Sequence, residues 1–314
     1  MKSEIAMKRI LVLALSLILP SLTCAQEAAK FSGPLAEMMA GKRVLLVSAH
    51  PDDEGLFTPL LAEVCRFNGA TCHMVVAADA KSPGCIIPLK MHDLEKCSSM
   101  RRQEVAASAA NLNASHEFYG WRDVLSPWND AGLDRNIHEW AQDMGGRNKL
   151  VKRISETLEK FKPDYLLGFD PRHGTSCHPN HRAIVLLAIE AVKQLPTEER
   201  PDVWLESDFA VPTTAPPGLA PIIDGFGIVR WPNDNVATTW YDSNFKLPNG
   251  RTTWDYLVDV LRLNSTQFPD IATGKVTPSP SPEHRRVPFV KLADINPTQR
   301  GMCESFTPEF TRSF

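Results

Sequence analysis

The chain has 314 residues, of which 43 % are apolar and 23 % are charged, and its formal net charge is −3. These values are ordinary for a globular protein, and without a basic stripe or a run of like charge nucleic acid is not an expected partner. The length allows one large domain with additions, or two small domains.

The first 25 residues predict an export signal. A basic pair precedes the nearly continuous apolar run Ile10–Leu19, and small residues around Cys24 provide a plausible cleavage site. The run is shorter than the roughly 20 residues that a membrane span needs. We therefore expect a signal peptide at residues 1–25, no stable membrane span, and a periplasmic or extracellular protein, with a lipid anchor on Cys24 as the less favoured alternative.

Six cysteines follow the predicted signal. An exported chain meets an oxidising compartment, where up to three disulfides can form among six cysteines. The sequence favours one pair, Cys85 with Cys97, because these residues bracket a single loop. The chain contains no Cys-x-x-Cys pair, so a thiolate zinc site is not expected.

Short apolar segments alternate with amphipathic segments between residues 43 and 206. The apolar segments lack the alternation of half-exposed strands, which is typical of strands buried on both faces of a parallel sheet. This order predicts an α/β fold with a Rossmann-like, doubly wound, mostly parallel sheet. The predicted strands are 44–49, 71–78, 116–121, 164–169 and 201–206, and the predicted helices are 54–68, 93–113, 146–161 and 178–195.

Segments outside this alternation are expected to be less regular. We expect residues 31–42 to approach the first strand along the surface, and residues 122–145 to be irregular because they contain Pro127 and Gly132.

The pattern changes after residue 207. Two strands, 222–231 and 236–241, are predicted around an Asn-Asp-Asn turn, and a helix is predicted at 254–268. Prolines and polar residues dominate from Pro269 onward. We therefore expect one domain over residues 26–268, with a C-terminal elaboration of strands, loops and a helix, followed by a proline-rich wrapping tail at 269–314 with little regular structure.

Ionisable residues follow two of the predicted strands. The first strand runs into His-Pro-Asp-Asp-Glu at residues 50–54, and the segment after the fourth strand ends in His-Pro-Asn-His at residues 178–181. Ligands in open α/β sheets bind beyond the carboxyl ends of the strands. The two segments are therefore expected to face each other across a crevice.

A metal site is the chemistry that these residues favour. His50, Asp53 and His181 form a two-histidine, one-carboxylate set with room for an open position, as in catalytic zinc sites. Such a metal would polarise a substrate carbonyl and lower the pKa of a bound water to about 7. Asp52 is then available to accept a proton, and His178 to stabilise an oxyanion or protonate a leaving amine.

Three alternatives stand beside this interpretation. The acidic run could only cap a helix and interact with its dipole. The same donor set also suits Fe²⁺, so a mononuclear iron oxygenase is an alternative enzyme. A non-catalytic protein that binds a sugar or a metal is the third alternative.

The motifs resemble a known family. Residues 49–54 read Ala-His-Pro-Asp-Asp-Glu, residues 178–181 follow a Phe-Asp-Pro at 169–171, and residues 101–104 read Arg-Arg-Gln-Glu. Over residues 43–206 the chain resembles the LmbE-like, or PIG-L, zinc-dependent N-acetylglucosamine deacetylases.

The resemblance implies hydrolysis of the acetamide of an N-acetylated amino sugar, with release of acetate, on a small-molecule or glycan substrate. It implies no oligomeric state. It also implies residue roles: zinc ligands His50, Asp53 and His181, general base Asp52, acid or electrophilic partner His178, and substrate contacts from Arg101 and, at a sugar hydroxyl, Asp123.

The chain departs from the family pattern in several places. Asn180 replaces an Asp of the second motif, and Ser176 stands where some members have Tyr. Family members often end a late helix with His-x-Ser-Gln, and residues 264–267 of this chain keep only the Gln of that motif.

Three other residues carry expectations of their own. We expect His173 to face solvent rather than to bind the metal. Trp121 and Trp128 are each expected in the core, with stacking on a sugar as the alternative.

Overall fold

A computed structural model describes residues 30–81, 89, 91–207, 210–212, 226–228, 238–280 and 286–303. The predicted signal peptide and Cys85 lie outside these ranges. Among the helices described, none combines the length and the apolar composition that crossing a bilayer would require.

The main sheet of the described residues has seven strands, in the order β3-β2-β1-β4-β5-β9-β8. Strands β1 to β5 are parallel to one another, whereas β9 is antiparallel to both β5 and β8. A second, two-stranded sheet pairs β6 with β7. The strands are β1 Arg43–Ser48, β2 Thr71–Ala78, β3 Ala114–Trp121, β4 Tyr165–Phe169, β5 Asp202–Glu206, β6 Ala210–Pro212, β7 Phe226–Ile228, β8 Thr238–Asp242 and β9 Arg286–Lys291.

The helices lie between the strands as the alternation predicts, and the predicted α/β fold with a mostly parallel sheet is confirmed. The helix that follows β1 continues as a π-helix over Ala62–Phe67. The helices are α1 Pro34–Met39, α2 Glu54–Leu61, α3 Leu94–Asn111, α4 Asp130–Met144, α5 Arg147–Phe161, α6 Pro179–Gln194, α7 Thr253–Leu263 and α8 Pro269–Ala272.

The core lies on both faces of the sheet. Four consecutive residues of β1, Val44 to Val47, are 0 % exposed. Because neighbouring residues of a strand point to opposite faces, helices must cover both sides. One group of packed helices is α4, α5 and α6, and another is α2, α3 and α7. This burial explains why polar and apolar residues do not alternate along β1.

Two helices lie where the sequence predicts irregular chain. Residues 31–42 contain α1, whose Leu35 and Met39 are fully buried, so the expected surface approach is wrong. Residues 122–145 contain α4, whose first turn includes Gly132. A Cβ on Gly132 would lie 1.7 Å from the carbonyl oxygen of Pro127. This glycine therefore permits close packing at the start of a helix and does not interrupt it.

The C-terminal region also differs from its prediction. Strands are found in both predicted regions, as β7 and β8, but they do not pair with each other around a turn, because β7 pairs with β6 and β8 pairs with β9. The expectation of little regular structure after Pro269 is wrong for β9, which lies between β5 and β8. Pairing between such distant segments depends on tertiary contacts that local patterns do not encode.

Two disulfides link described residues, Cys65–Cys72 and Cys177–Cys303, at sequence separations of 7 and 126. Cys97 is also disulfide-bonded. Its expected partner, Cys85, lies outside the described residues.

Candidate active site

The two ionisable segments meet at one edge of the sheet. Strands β1 and β4 are hydrogen-bonded neighbours that run in the same direction. The turn at residues 50–53 follows β1, and the first turn of α6 follows β4. The carboxyl ends of both strands therefore bring His50, Asp53 and His181 together.

Three side-chain atoms of these residues converge. His181 Nε2 lies 3.2 Å from His50 Nδ1 and 3.1 Å from Asp53 Oδ1, and His50 Nδ1 lies 3.6 Å from Asp53 Oδ1. In a tetrahedral site with bonds of about 2.1 Å, ligand atoms lie about 3.4 Å apart. The donor set therefore fits one divalent cation.

Hydrogen bonds orient two of these donors toward the shared point. Asp53 Oδ2 accepts the backbone N–H groups of Ala49 and His50, each at 2.8 Å, which leaves Oδ1 facing the histidines. His181 Nδ1 donates to the carbonyl of Gly174 at 3.1 Å, so that the lone pair is on Nε2. Neighbouring groups commonly fix metal-binding histidines in this way.

The second nitrogen of His50 faces a carboxylate. His50 Nε2 lies 3.4 Å from Asp123 Oδ1, and the side chain of Asp123 is only 6 % exposed. Asn180 Nδ2 donates to the same oxygen at 2.8 Å, while its own carbonyl accepts the amide of Asn136. Asp123 is thus directed at His50, as is the amide of Asn180, whose Nδ2 lies 3.0 Å from His50 Nε2, and no spacing in the sequence indicates that Asn180 and Asn136 support this site.

The charges at this point favour a cation. Burial lowers the pKa of His50, but the carboxylates of Asp123 and Asp53 outweigh burial and raise that pKa to about 10. Burial raises the pKa of Asp53, yet His181 and His50 hold it well below its usual range. Asp53 and Asp123, whose pKa is also lowered by His50, are therefore ionised at neutral pH, and a metal cation would bind there in place of the proton on His50.

His178 lies beside the three donors. Its ring is stacked on that of His181, with 4.6 Å between the centroids, and the tilted ring of Trp128 lies 4.7 Å away. His178 Nδ1 accepts the backbone N–H of Asn180 at 3.3 Å. Burial and the neighbouring histidines lower the pKa of His178, so the ring is neutral, with its proton on Nε2.

This tautomer distinguishes two possible ligand sets. His50, His178 and His181 offer ring nitrogens that lie within 4.8 Å of one another, so a set of three histidines is conceivable. A metal on His178 Nε2 would require a proton on Nδ1, where it would face the N–H of Asn180. The geometry therefore favours Asp53 as the third ligand and His178 as a hydrogen-bond donor.

Asp52 occupies a strained position next to the donors. Its φ is 104°, in the region that favours glycine, and its N–H donates to Glu54 Oε2 at 3.0 Å. Burial raises the pKa of Asp52 to about 7, with a further increase from Asp53 and an opposing effect from Arg101. A carboxylate with such a pKa can accept a proton near neutral pH, and backbone strain of this kind is concentrated at functional sites.

Arg101 lies beneath the Pro51–Asp52 turn. It is 3 % exposed, and its Nη2 donates to the Pro51 carbonyl at 2.7 Å and lies 3.4 Å from Asp52 Oδ1. One turn later on α3, Glu104 accepts hydrogen bonds from Thr266. The structure thus places Arg101 in contact with Asp52.

Two expectations about nearby residues are wrong. His173 is 0 % exposed, and its Nδ1 accepts the N–H of Thr175 at 3.1 Å, so it does not face solvent. Trp128 is not a residue of the main core, because it packs on His178 and on the Cys177–Cys303 disulfide. Trp121, by contrast, is a core residue as expected.

Comparison with known proteins identifies relatives. Residues 45–192 match the model of the family described as PIG-L: GlcNAc-PI de-N-acetylase. A 1D-myo-inositol 2-acetamido-2-deoxy-alpha-D-glucopyranoside deacetylase from Saccharomonospora viridis is 28 % identical over 162 residues, which is 48 % of this chain and 58 % of that protein. The protein of the same name from Thermobispora bispora is 30 % identical over 156 residues, 46 % of this chain and 49 % of that protein. The chain thus spans about half the length of the curated relatives it matches.

A solved structure is similar in fold. The deacetylase of the teicoplanin biosynthesis pathway, solved in complex with teicoplanin, has a TM-score of 0.50 and 15 % identity, and the match covers 79 % of this chain and 97 % of that one. At this identity the likeness concerns the fold alone. The family match rests on the sequence: residues 45–192, just under half of this chain, are similar to the PIG-L family.

Proposed function

We propose that this protein is an exported, metal-dependent deacetylase, which hydrolyses the acetamide of an N-acetylated amino sugar and releases acetate. The observation that carries the proposal is the convergence of His50, Asp53 and His181 beside Asp52. The family match and the names of the relatives, which are deacetylases of an acetamido-glucopyranoside, support this substrate class.

The metal would be held by His50 Nδ1, Asp53 Oδ1 and His181 Nε2, and we propose zinc. When bound, it supplies a Lewis acid for the acetamide carbonyl and an activated water near neutral pH. Three protein ligands leave a position open for this chemistry, as a catalytic site requires.

The protein's own residues then handle the protons and the developing charge. Asp52 accepts the proton of the attacking water, because burial brings its pKa into the neutral range. His178 donates a hydrogen bond from Nε2 to the carbonyl oxygen as negative charge develops there, and the proton that Asp52 accepted then passes to the departing amine.

Arg101 and Asp123 act in this scheme as positioning residues. Arg101 holds the Pro51–Asp52 turn, and Asp123 orients His50 through its second nitrogen. Direct contact of either residue with the sugar, which the family resemblance implies, is not needed for the proposal.

Export is supported by the disulfides. Cys65–Cys72 and Cys177–Cys303 are the kind of bond that persists in the periplasm or outside the cell. The predicted signal at residues 1–25 agrees with this location.

The activity is tested by screening acetamido-sugars for acetate release. We expect release with Zn²⁺ bound, loss of release after chelation, and recovery when the metal is returned. The same experiment without oxygen or an oxoacid separates hydrolysis from iron-oxygenase chemistry, because only the latter needs these co-reactants. A protein that binds acetamido-sugars and metal, yet releases no acetate from any of them, would contradict the proposal.

Replacement of Asp123 by Ala tests how this carboxylate acts. We expect metal affinity to fall by about 10- to 100-fold, because His50 loses the group that orients its ring. Metal affinity is measured by competition with a chelator, and Asp143→Ala is the control, since Asp143 is partnered with Arg122 on the surface. If metal affinity is unchanged and only KM rises, Asp123 contacts the sugar instead.

A further inference from the structure

The turn that precedes His178 has an unusual backbone. Residues Gly174, Thr175 and Cys177 have φ values of 55°, 64° and 61°. Two of them are not glycine, and such conformations persist only where the surroundings hold them. The position of His178 therefore depends on whatever fixes this turn.

One end of the turn is fixed by hydrogen bonds. Gly174 donates its N–H to the carbonyl of Asp170 at 2.6 Å, and Thr175 Oγ1 donates to Glu206 Oε2 at 2.5 Å. These contacts secure the residues farthest from His178. They also hold the Gly174 carbonyl, which orients the metal-binding residue His181.

The other end of the turn is fixed by a local hydrogen bond, from the N–H of Cys177 to the carbonyl of His173 at 2.5 Å, and by a distant part of the chain. Cys177, which directly precedes His178, forms its disulfide with Cys303, and both residues are 0 % exposed. Trp128 packs against this disulfide, and its ring is tilted against that of His178, with 4.7 Å between the ring centroids. The disulfide thus reaches His178 both through the backbone and through one aromatic ring.

The segment that carries Cys303 is itself anchored. We call residues 300–303 the C-terminal clamp. Gly301 donates its N–H to Asp130 Oδ2 at 2.7 Å, and Arg300 Nη2 pairs with Asp134 Oδ1 at 2.9 Å. Both acceptors lie on α4. Asp130 also pairs with Arg182 of α6 at 2.5 Å, so the clamp is linked to the helix that begins immediately after His178.

We propose that the C-terminal clamp positions His178 for catalysis, and that Cys303, through its disulfide with Cys177, is a positioning residue. This inference rests on the proposed function, in which His178 donates to the substrate. The metal donors depend less on the clamp, because Asp53 accepts two backbone N–H groups next to β1, and His181 donates to Gly174, at the end of the turn that Asp170 and Glu206 hold. The clamp should therefore govern turnover more than metal binding.

The test compares two double variants that each remove one disulfide. In Cys177→Ala/Cys303→Ala we expect kcat to fall by about 10- to 100-fold, the effect of a catalytic group displaced by about 1 Å. KM and the metal content per chain should stay close to those of the wild type. The matched control is Cys65→Ala/Cys72→Ala, which removes a disulfide between the π-helix and β2, at the opposite end of the parallel strands. We expect this control to retain its kcat.

A second comparison shows whether the effect passes through His178. In a His178→Ala background, removal of the Cys177–Cys303 disulfide should change kcat by less than twofold. A merely structural loss would lower kcat equally in both backgrounds. The inference is overturned if the effect is the same in both backgrounds, if both disulfide variants lose kcat equally, or if neither does.

A milder variant keeps the test decisive if the disulfide variant does not fold. Gly301 has a φ of 90°, and a Cβ there meets nothing within 4 Å, so Gly301→Ala perturbs only the backbone of the clamp. We expect a fall in kcat of at least twofold. Gly69→Ala is its control, because Gly69 has a φ of 70° with open space and precedes β2 at the far end of the sheet. Equal kcat values in the two variants would overturn the inference, whereas a wild type that releases no acetate would contradict the proposed function instead.

Discussion

His181→Ala is expected to remove the bound metal and the acetate-releasing activity together. His181 Nε2 is the donor closest to the other two, at 3.1 Å from Asp53 Oδ1 and 3.2 Å from His50 Nδ1. Without His181 only two ligands remain. The loss of metal affinity should therefore be greater than the loss of about 10- to 100-fold that is typical when a group that merely orients a ligand is removed. Metal content after dialysis and acetate release are the measurements.

Two further variants make this result specific. His138→Ala replaces an exposed histidine of α4 and should leave both quantities unchanged. His178→Ala should retain the metal but lose turnover, because His178 Nδ1 is occupied by the N–H of Asn180. If His178→Ala loses the metal whereas Asp53→Ala keeps it, the three histidines are the ligands and the proposed donor set is wrong.

Asp52→Asn is expected to lower kcat by about 10²- to 10⁴-fold, the range for loss of a general base, while the metal is retained. Asparagine tolerates positive φ better than most residues, so the backbone at 104° should survive the change. The thermal midpoint of unfolding is the control measurement for the fold. A variant that keeps wild-type kcat would exclude Asp52 as the proton acceptor.

The pH profile gives a second measurement of the same group. Asp52 accepts a proton only when ionised, and burial raises its pKa to about 7. Wild-type kcat should therefore fall as the pH drops through the pKa of Asp52, and a cation on the neighbouring Asp53 would shift this fall to lower pH. Asp52→Asn should lack this acidic limb, and a profile identical to that of the wild type would contradict the assignment.

The parts of the structure that could be predicted from sequence are those with strong local signals. β2 has the predicted bounds, because a strand buried on both faces is a continuous apolar run. The meeting of His50 with His181 could be predicted as well, since parallel strands present their carboxyl ends at one edge of a sheet.

Other features depend on contacts between distant residues. The Asp123–Asn180 hydrogen bond joins residues 57 positions apart. No spacing in the sequence indicates that Asp123 faces His50, or that the loop residue His173 is buried. Helix α4 was missed for a different reason, because Gly132 and Pro127 act together as a packing contact at its start, whereas each is typical of a turn when considered alone.

The position of β9 has a consequence for the order in which the sheet assembles. β5 precedes β9 by about 80 residues in sequence, yet the two strands are hydrogen-bonded to each other, with β4 on the other side of β5. Until residues 286–291 have paired with it, β5 presents an unpaired edge, which is the kind of surface on which strands of separate molecules pair and aggregate. The parallel strands can assemble first, but the β5 edge stays open to such pairing until β9 has joined the sheet.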